Sequence, residues 1–312
     1  MKFYVGFTDQ TWFDNLSEIN PDEVNFWRPG GEGQFKALNP GELLLFKLKK
    51  PNHFIVGGGF FTRSSILPVS LAWDIFGIKN GRASFSEFRS AINAYRKKKG
   101  KEEQVDPFIG CVVLTSPFFL PREDWIPAPE NWSTHIVQGK LFDEQQPEGL
   151  AIWEQLQDVL LSSTLRTSTS ISPVAVEAAR SGQPRMVTPR LGQGSFRVSV
   201  TESYMHRCAM TGEKTLPVLE AAHIRPFAQE GPHLTSNGLL LRADLHTLFD
   251  RGLMTITSDN RIEVSNQIKE TYGNGRHYYA LHGQELQIVP KAVADRPSPE
   301  FVEWHNNQVF RP

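Results

Sequence analysis

Residues 208–252 read CAMTGEKTLPVLEAAHIRPFAQEGPHLTSNGLLLRADLHTLFDRG, and this stretch decides the fold. Residues 218–224 form a short apolar run suited to a strand, with His223 near its end. Pro226 and the Glu230-Gly231-Pro232 turn open a loop. Residues 238–241 make a second short strand directly after Asn237. Ala243–Asp250 has helical spacing, with Leu245, Leu248 and Phe249 facing inward and Gly252 placed to end the helix. The order is strand, loop, strand, helix. Three polar residues define the pattern: His223, Asn237 and His246. On the helix, His246 and Asp250 are four residues apart and share a face, the spacing at which two side chains reach one cation.

The whole pattern, AAHIRP through NGLLL to DLHTLFDRG, resembles the HNH nuclease family, whose core is a ββα-metal fold. The lead-in FRVSVTESYMHRCAMTG (196–212) and the tail WHNNQVF (304–310) are similar to the restriction-type HNH subgroup, so the resemblance extends from residue 194 to residue 312. Carried over position by position, it implies the following roles. His223 matches the general base that takes a proton from water, and a neutral imidazole suits that task at physiological pH. Asn237 matches the asparagine that braces the loop and orients the base. His246 matches the metal ligand on the helix, and Asp250 falls where related nucleases such as the colicins place a further histidine ligand. The implied cofactor is a divalent cation, Mg²⁺ or Mn²⁺, which a carboxylate with one imidazole suits.

Many HNH enzymes carry Asp or His directly before the base as a metal ligand, but here that position is Ala222. Asp250 supplies the missing ligand, or Glu220 reaches in, or water fills the place. Cys208 opens C-x-x-T-G, with Thr211 where some relatives have the second cysteine of a zinc pair. Structural zinc is therefore not expected, and Cys208 reads as a buried small hydrophobe. Arg225 and Arg242 flank the site and are candidate phosphate contacts. His233, His277, His282 and His305 read as surface or packing histidines.

Working outward, residues 162–194 contain STSISP and SGQP and read as a linker between a first domain, 1–161, and a second, 195–312. Between Arg166 and Arg197 there are five Arg, one Glu, and no Lys or Asp. That excess fits a solvated linker or one that tracks a phosphate backbone, with Arg190 and Arg197 as candidate DNA contacts. In the first domain, strands are predicted over 2–7, 43–49, 54–61 and 109–120, with a hairpin turn at Lys50-Pro51-Asn52. Gly57, Gly58 and Gly59 suggest a bulge or a close approach of another backbone or a ligand. A helix is predicted over 85–99, with Ser84 and Glu87 at capping-box spacing, and another over 150–161. The predicted fold class is α+β: a curved sheet or barrel with helices, then a ββα domain.

On FYVGFTDQTWF, NFWRPGGEGQFKALNPGELLLFKLKKP and FIVGGGFF, the first domain broadly resembles PUA-like modules, a superfamily that includes EVE and SRA-type readers of modified bases. Such readers extrude a nucleotide and stack it on aromatics. Trp12, Phe26, Trp27 and Arg28 are the candidate pocket residues. The competing reading is that these aromatics fill the core.

A length of 312 residues suits two domains. Two cysteines exclude a disulfide scaffold and a Cys₄ zinc site. No run approaches the roughly 18 apolar residues of a membrane helix, and MKFYVGFTDQTWF lacks a secretory pattern, so a cytoplasmic protein is expected. A net charge of −1 argues against nucleic acid only until the charge is mapped along the chain. The expected protein is a metal-dependent DNA endonuclease of modification-dependent (type IV) restriction, acting on duplex DNA as a homodimer. The alternatives are a nuclease whose first domain senses a small nucleotide or a partner, and a non-catalytic DNA-binding protein.

Overall fold

A computed structural model describes residues 2–30, 33–129, 132, 138–165 and 192–312. The chain divides into two compact units, Met1–Ser195 and Phe196–Pro312. The expected linker and its arginines, Arg190 included, lie almost wholly outside the described residues.

The first unit contains β1 (Lys2–Thr8), α1 (Gln10–Ile19), β2 (Glu23–Asn25), β3 (Leu43–Leu48), β4 (Phe54–Pro68), α2 (Val69–Phe76), α3 (Phe85–Lys98), β5 (Phe108–Phe119), β6 (Ile126–Pro127), β7 (Gly139–Asp143) and α4 (Pro147–Leu165). Its sheet runs β2-β5-β4-β3-β1-β7, with β6 on β4. Among the described residues, β1 with β3 is the one parallel pair. The run LLLFKL in β3 is buried throughout because both faces of the sheet are covered. Leu43 and Leu45 point into a cluster with Trp153 and Leu156 of α4. Leu44, Phe46 and Leu48 point into the opposite cluster with Trp12, Phe13 and Leu16 of α1.

The glycine triplet meets both sequence expectations. The β4–β5 register slips between Gly58 and Phe60, and a Cβ at Gly57 would collide with the Phe118 carbonyl oxygen. At α3 the Ser84 side chain accepts from the Glu87 N–H at 3.3 Å, while Glu87 reaches back to the Ala83 N–H instead of that of Ser84.

The second unit carries α5 (Gln193–Ser203), at whose start the division between units falls, then β8 (Leu219–His223), β9 (Gly238–Arg242), α6 (Ala243–Asp250), β10 (Met254–Ile256), β11 (Ile262–Val264), α7 (Gln267–Tyr272), α8 (Arg276–Tyr279) and α9 (Pro299–Gln308). β8 and β9 pair antiparallel, with His223 opposite Gly238 and Ala222 opposite Leu239. Leu245 and Phe249 of α6 pack into one core with Leu239, Leu241 and Met254. Cys208 is fully buried in the same core. Gly252 follows α6 with φ +70, the left-handed conformation that ends a helix. His305 of α9 is buried against Phe249, its ring 3.9 Å away and nearly parallel. Its Nδ1 lies 2.9 Å from Thr255 Oγ1, and Nε2 3.1 Å from the Phe249 carbonyl oxygen. The WHNNQVF tail thus fastens α9 over α6.

Candidate active site

His223 is the last residue of β8, where the chain leaves the sheet. Its ring lies flat on Phe196, with centroids 3.8 Å apart and an interplanar angle of 11°. Burial, aided by the neighbouring imidazoles of His233 and His246, pushes its pKa down to about 4. It is therefore neutral at physiological pH and carries one N–H and one lone pair. Its Nε2 lies 3.0 Å from Nδ1 of His233.

Asn237 is completely buried just before β9. Its Oδ1 accepts from the Arg225 N–H at 2.8 Å. Its Nδ2 donates to the carbonyl oxygens of Arg225 and Pro232, both at 2.9 Å. One amide thus closes the loop between β8 and β9 at both ends. The loop leaves His223 directly, so its closure also fixes where His223 stands.

His246 lies on the first turns of α6, between two carboxylates. Its Nδ1 is 2.7 Å from Glu220 Oε2 and its Nε2 is 3.3 Å from Asp250 Oδ2. The helical spacing accounts for Asp250, and the pairing of β8 beside α6 accounts for Glu220. Burial raises the Asp250 pKa; the nearby Glu220 adds to the rise and His246 opposes it. Among the described residues no three His, Cys, Asp or Glu side chains converge as a metal cluster. Glu220 takes the far nitrogen of His246 and so stands behind the imidazole, while Asp250 shares the side of Nε2.

The two candidate phosphate contacts differ. Arg242 donates from Nε and a terminal nitrogen to both oxygens of Asp244, at 2.6 and 2.8 Å, so a carboxylate already faces it. Arg225 donates from Nε to the Gln229 carbonyl at 2.7 Å, and its guanidinium stacks 5.5 Å over the Trp304 ring. Arg197 is half-buried on α5.

In the first unit, a cavity of about 360 Å³ is lined by all four candidate pocket residues, together with Tyr4, Phe35, Arg82, Tyr95 and Lys98. Trp12 and Phe26 are core residues first: they are 2% and 7% exposed and pack edge-on at 5.5 Å. They therefore line the cavity while belonging to the core, as the competing reading has it. Trp27 is half-buried, and its Nε1 donates to the Asn80 carbonyl at 2.9 Å. The Arg82 guanidinium lies 5.4 Å from its ring. Arg28 donates to the Gly33 carbonyl at 3.1 Å.

Residues 208–257 match the HNH endonuclease family. No curated protein matches the chain. Among solved structures, the ASCH protein from Zymomonas mobilis is similar at 9% identity, over 48% of this chain and 94% of that one, with a TM-score of 0.33. A modification-dependent restriction endonuclease, TagI, is similar at 14% identity, over 92% of this chain and 75% of that one, with a TM-score of 0.27. A type IV phosphorothioation-dependent restriction endonuclease, ScoMcrA, is similar at 13% identity, over 78% and 49%, with a TM-score of 0.19.

Within the HNH segment, sequence reasoning missed one neighbour of His223. His233 reads as a bland histidine, yet it bonds to His223 and stacks on Phe227 at 4.7 Å. The only available signal was a second histidine inside the loop that the HNH pattern brackets.

Proposed function

We propose that this chain is a divalent-cation-dependent DNA endonuclease that cuts duplex DNA carrying modified bases. One arrangement carries the reading. In the HNH segment a neutral, half-buried imidazole at the end of β8 lies beside a histidine–carboxylate pair on α6.

The residues fit a divalent cation. Two ligand atoms on a Mg²⁺ ion, each at about 2.1 Å, stand roughly 3 Å apart at neighbouring octahedral positions. His246 Nε2 and Asp250 Oδ2 are 3.3 Å apart. Mg²⁺ keeps several waters and takes few protein ligands, so two side chains plus the DNA phosphate suffice. When bound, the cation would stabilise charge on the scissile phosphate and on the leaving 3′ oxygen. Glu220 accepts from His246 Nδ1–H, which leaves the Nε2 lone pair facing Asp250. His223 takes the proton from the attacking water as its oxygen bonds to phosphorus and the bond from phosphorus to the 3′ oxygen breaks. Asn237 keeps the loop, and with it His223, in place. Arg225 is the better placed of the two flanking arginines for a phosphate, because Asp244 holds Arg242 through two short bonds, whereas the exposed Glu230 carboxylate is 3.8 Å from Arg225.

For the first unit, the cavity supports modified-base recognition. It has the size of a nucleotide pocket, aromatic walls at Trp27 and Phe35, and cations at Arg28, Arg82 and Lys98. Cutting both strands takes two active sites, so we expect a homodimer on DNA. No described helix is long and apolar enough to cross a membrane.

The test is a cleavage screen with Mg²⁺ or Mn²⁺. It compares DNA bearing methyl-, hydroxymethyl- or glucosylated cytosine, and phosphorothioate DNA, with unmodified DNA. Cutting confined to one modified class supports the reading. Cutting that ignores modification but needs an added nucleotide would make the first unit a ligand sensor instead.

A further inference from the structure

The bond between the two imidazoles, 3.0 Å from His223 Nε2 to His233 Nδ1, constrains which nitrogen of His223 can act as a base. A neutral imidazole carries one N–H and one lone pair. When two neutral rings share a hydrogen bond, one of them supplies the proton. If His233 Nδ1 carries it, His223 accepts at Nε2, holds its own proton on Nδ1, and has no lone pair left for water. If His223 Nε2 carries it, His233 accepts, and the lone pair of His223 Nδ1 stays free. Among the described residues Nδ1 has no hydrogen-bond partner and is not sealed in the interior. Both rings are clamped in this relation: His223 lies on Phe196 at 3.8 Å and His233 on Phe227 at 4.7 Å, with interplanar angles of 11° and 7°.

We propose that His233 is a positioning residue: it accepts the Nε2–H of His223 and so holds the base in the tautomer whose Nδ1 lone pair faces water. The inference rests on the reading of His223 as general base. In the reaction the proton from water ends on Nδ1, the Nε2–H···Nδ1 bond stays intact, and the imidazolium is stabilised by a neutral acceptor in the role that a carboxylate plays in other base–orienter pairs. Phe227, 67% exposed, then serves as the outer wall of the clamp.

The experiment has two arms on the full-length protein. In the first, ¹⁵N NMR of histidine-labelled protein, free of metal and DNA and above pH 7, reads the tautomer of His223, assigned by its loss in His223→Ala. The expected spectrum has the proton on Nε2 in the wild type and a mixture in His233→Ala. A wild-type His223 protonated on Nδ1 overturns the proposal. The second arm measures steady-state cutting. His233→Ala should lower kcat by about tenfold to a thousandfold with KM for DNA unchanged. His233→Asn, which keeps an acceptor at the position of Nδ1, should recover at least tenfold of that loss. Equal kcat in the Ala and Asn variants, both shown folded by circular dichroism, overturns it as well. Full cutting by His223→Ala would instead remove the base assignment, which distinguishes the two failures.

Discussion

Asn237 satisfies three backbone groups with two side-chain atoms in a completely buried position. Asn237→Ala should therefore cost about 2–3 kcal/mol in chemical denaturation, since each lost bond is worth about 1 kcal/mol and buried partners are left unpaired. Cutting should fall with it, because the loop it closes carries the base. Glu220 presents a separate case. A carboxylate behind a metal-binding imidazole commonly changes metal affinity by about 10–100-fold, so Glu220→Gln should weaken Mg²⁺ or Mn²⁺ binding by that factor in calorimetry. An unchanged affinity would remove Glu220 from the site. The placement of His223 at the end of β8, of Asn237 directly before β9 and of His246 inside α6 was legible from local signals: the end of an apolar run, the residue before Gly238, and i, i+4 spacing with Asp250; the roles expected of them came from the HNH resemblance. Glu220 was legible only as one of three options, because its contact depends on how β8 docks beside α6. His233 was not legible, because its bond to His223 closes across an irregular loop in which no periodicity operates.

At the scale of elements, short segments with strong punctuation were read well. α6 spans Ala243–Asp250 as its spacing predicts, and β8 and β9 differ from their predicted bounds by a residue or so. Gly252 explains why α6 stops: its φ is +70, and a Cβ there would run into the Val309 carbonyl oxygen. Gly252→Ala should destabilise the second unit by at least about 1 kcal/mol in a denaturant melt, and an unchanged midpoint would contradict this account of the helix end. In the first unit the β3–β4 hairpin was legible, but β4 continues to Pro68, well past the predicted 61. Beyond Phe61 its side chains turn mixed, with Arg63 and Ser64 half-buried beside buried Ser65, so no apolar run marks the extension. α1 was missed for a related reason. Its buried residues are Trp12, Phe13 and Leu16, too few turns to establish a helical period against a background of strands.

For the whole molecule, the near-neutral net charge averages over parts that differ: an Arg-rich segment, a cavity lined by Arg28, Arg82 and Lys98, and a second unit in which Arg242 is matched by Asp244. Stability should depend on pH through the buried histidines. Burial pushes the His305 pKa down to about 4, opposed by its bond to the Phe249 carbonyl. The unfolded chain takes up that proton near pH 6.5 and the folded one does not, so stability is full above about pH 6.5 and falls as pH drops towards 4. Melting temperature should decline over that window, with a shallower slope in His305→Asn; a flat profile in the wild type would contradict the buried neutral ring. The central claim is that the second unit hydrolyses DNA with His223 as the base, and one paired measurement tests it most directly. Wild type and His223→Ala are assayed together for Mg²⁺- or Mn²⁺-dependent cutting and for binding, across modified and plain DNA. The wild type should cut and the variant should not, with equal binding by both. Intact DNA in every wild-type reaction, or undiminished cutting by the variant, would contradict it.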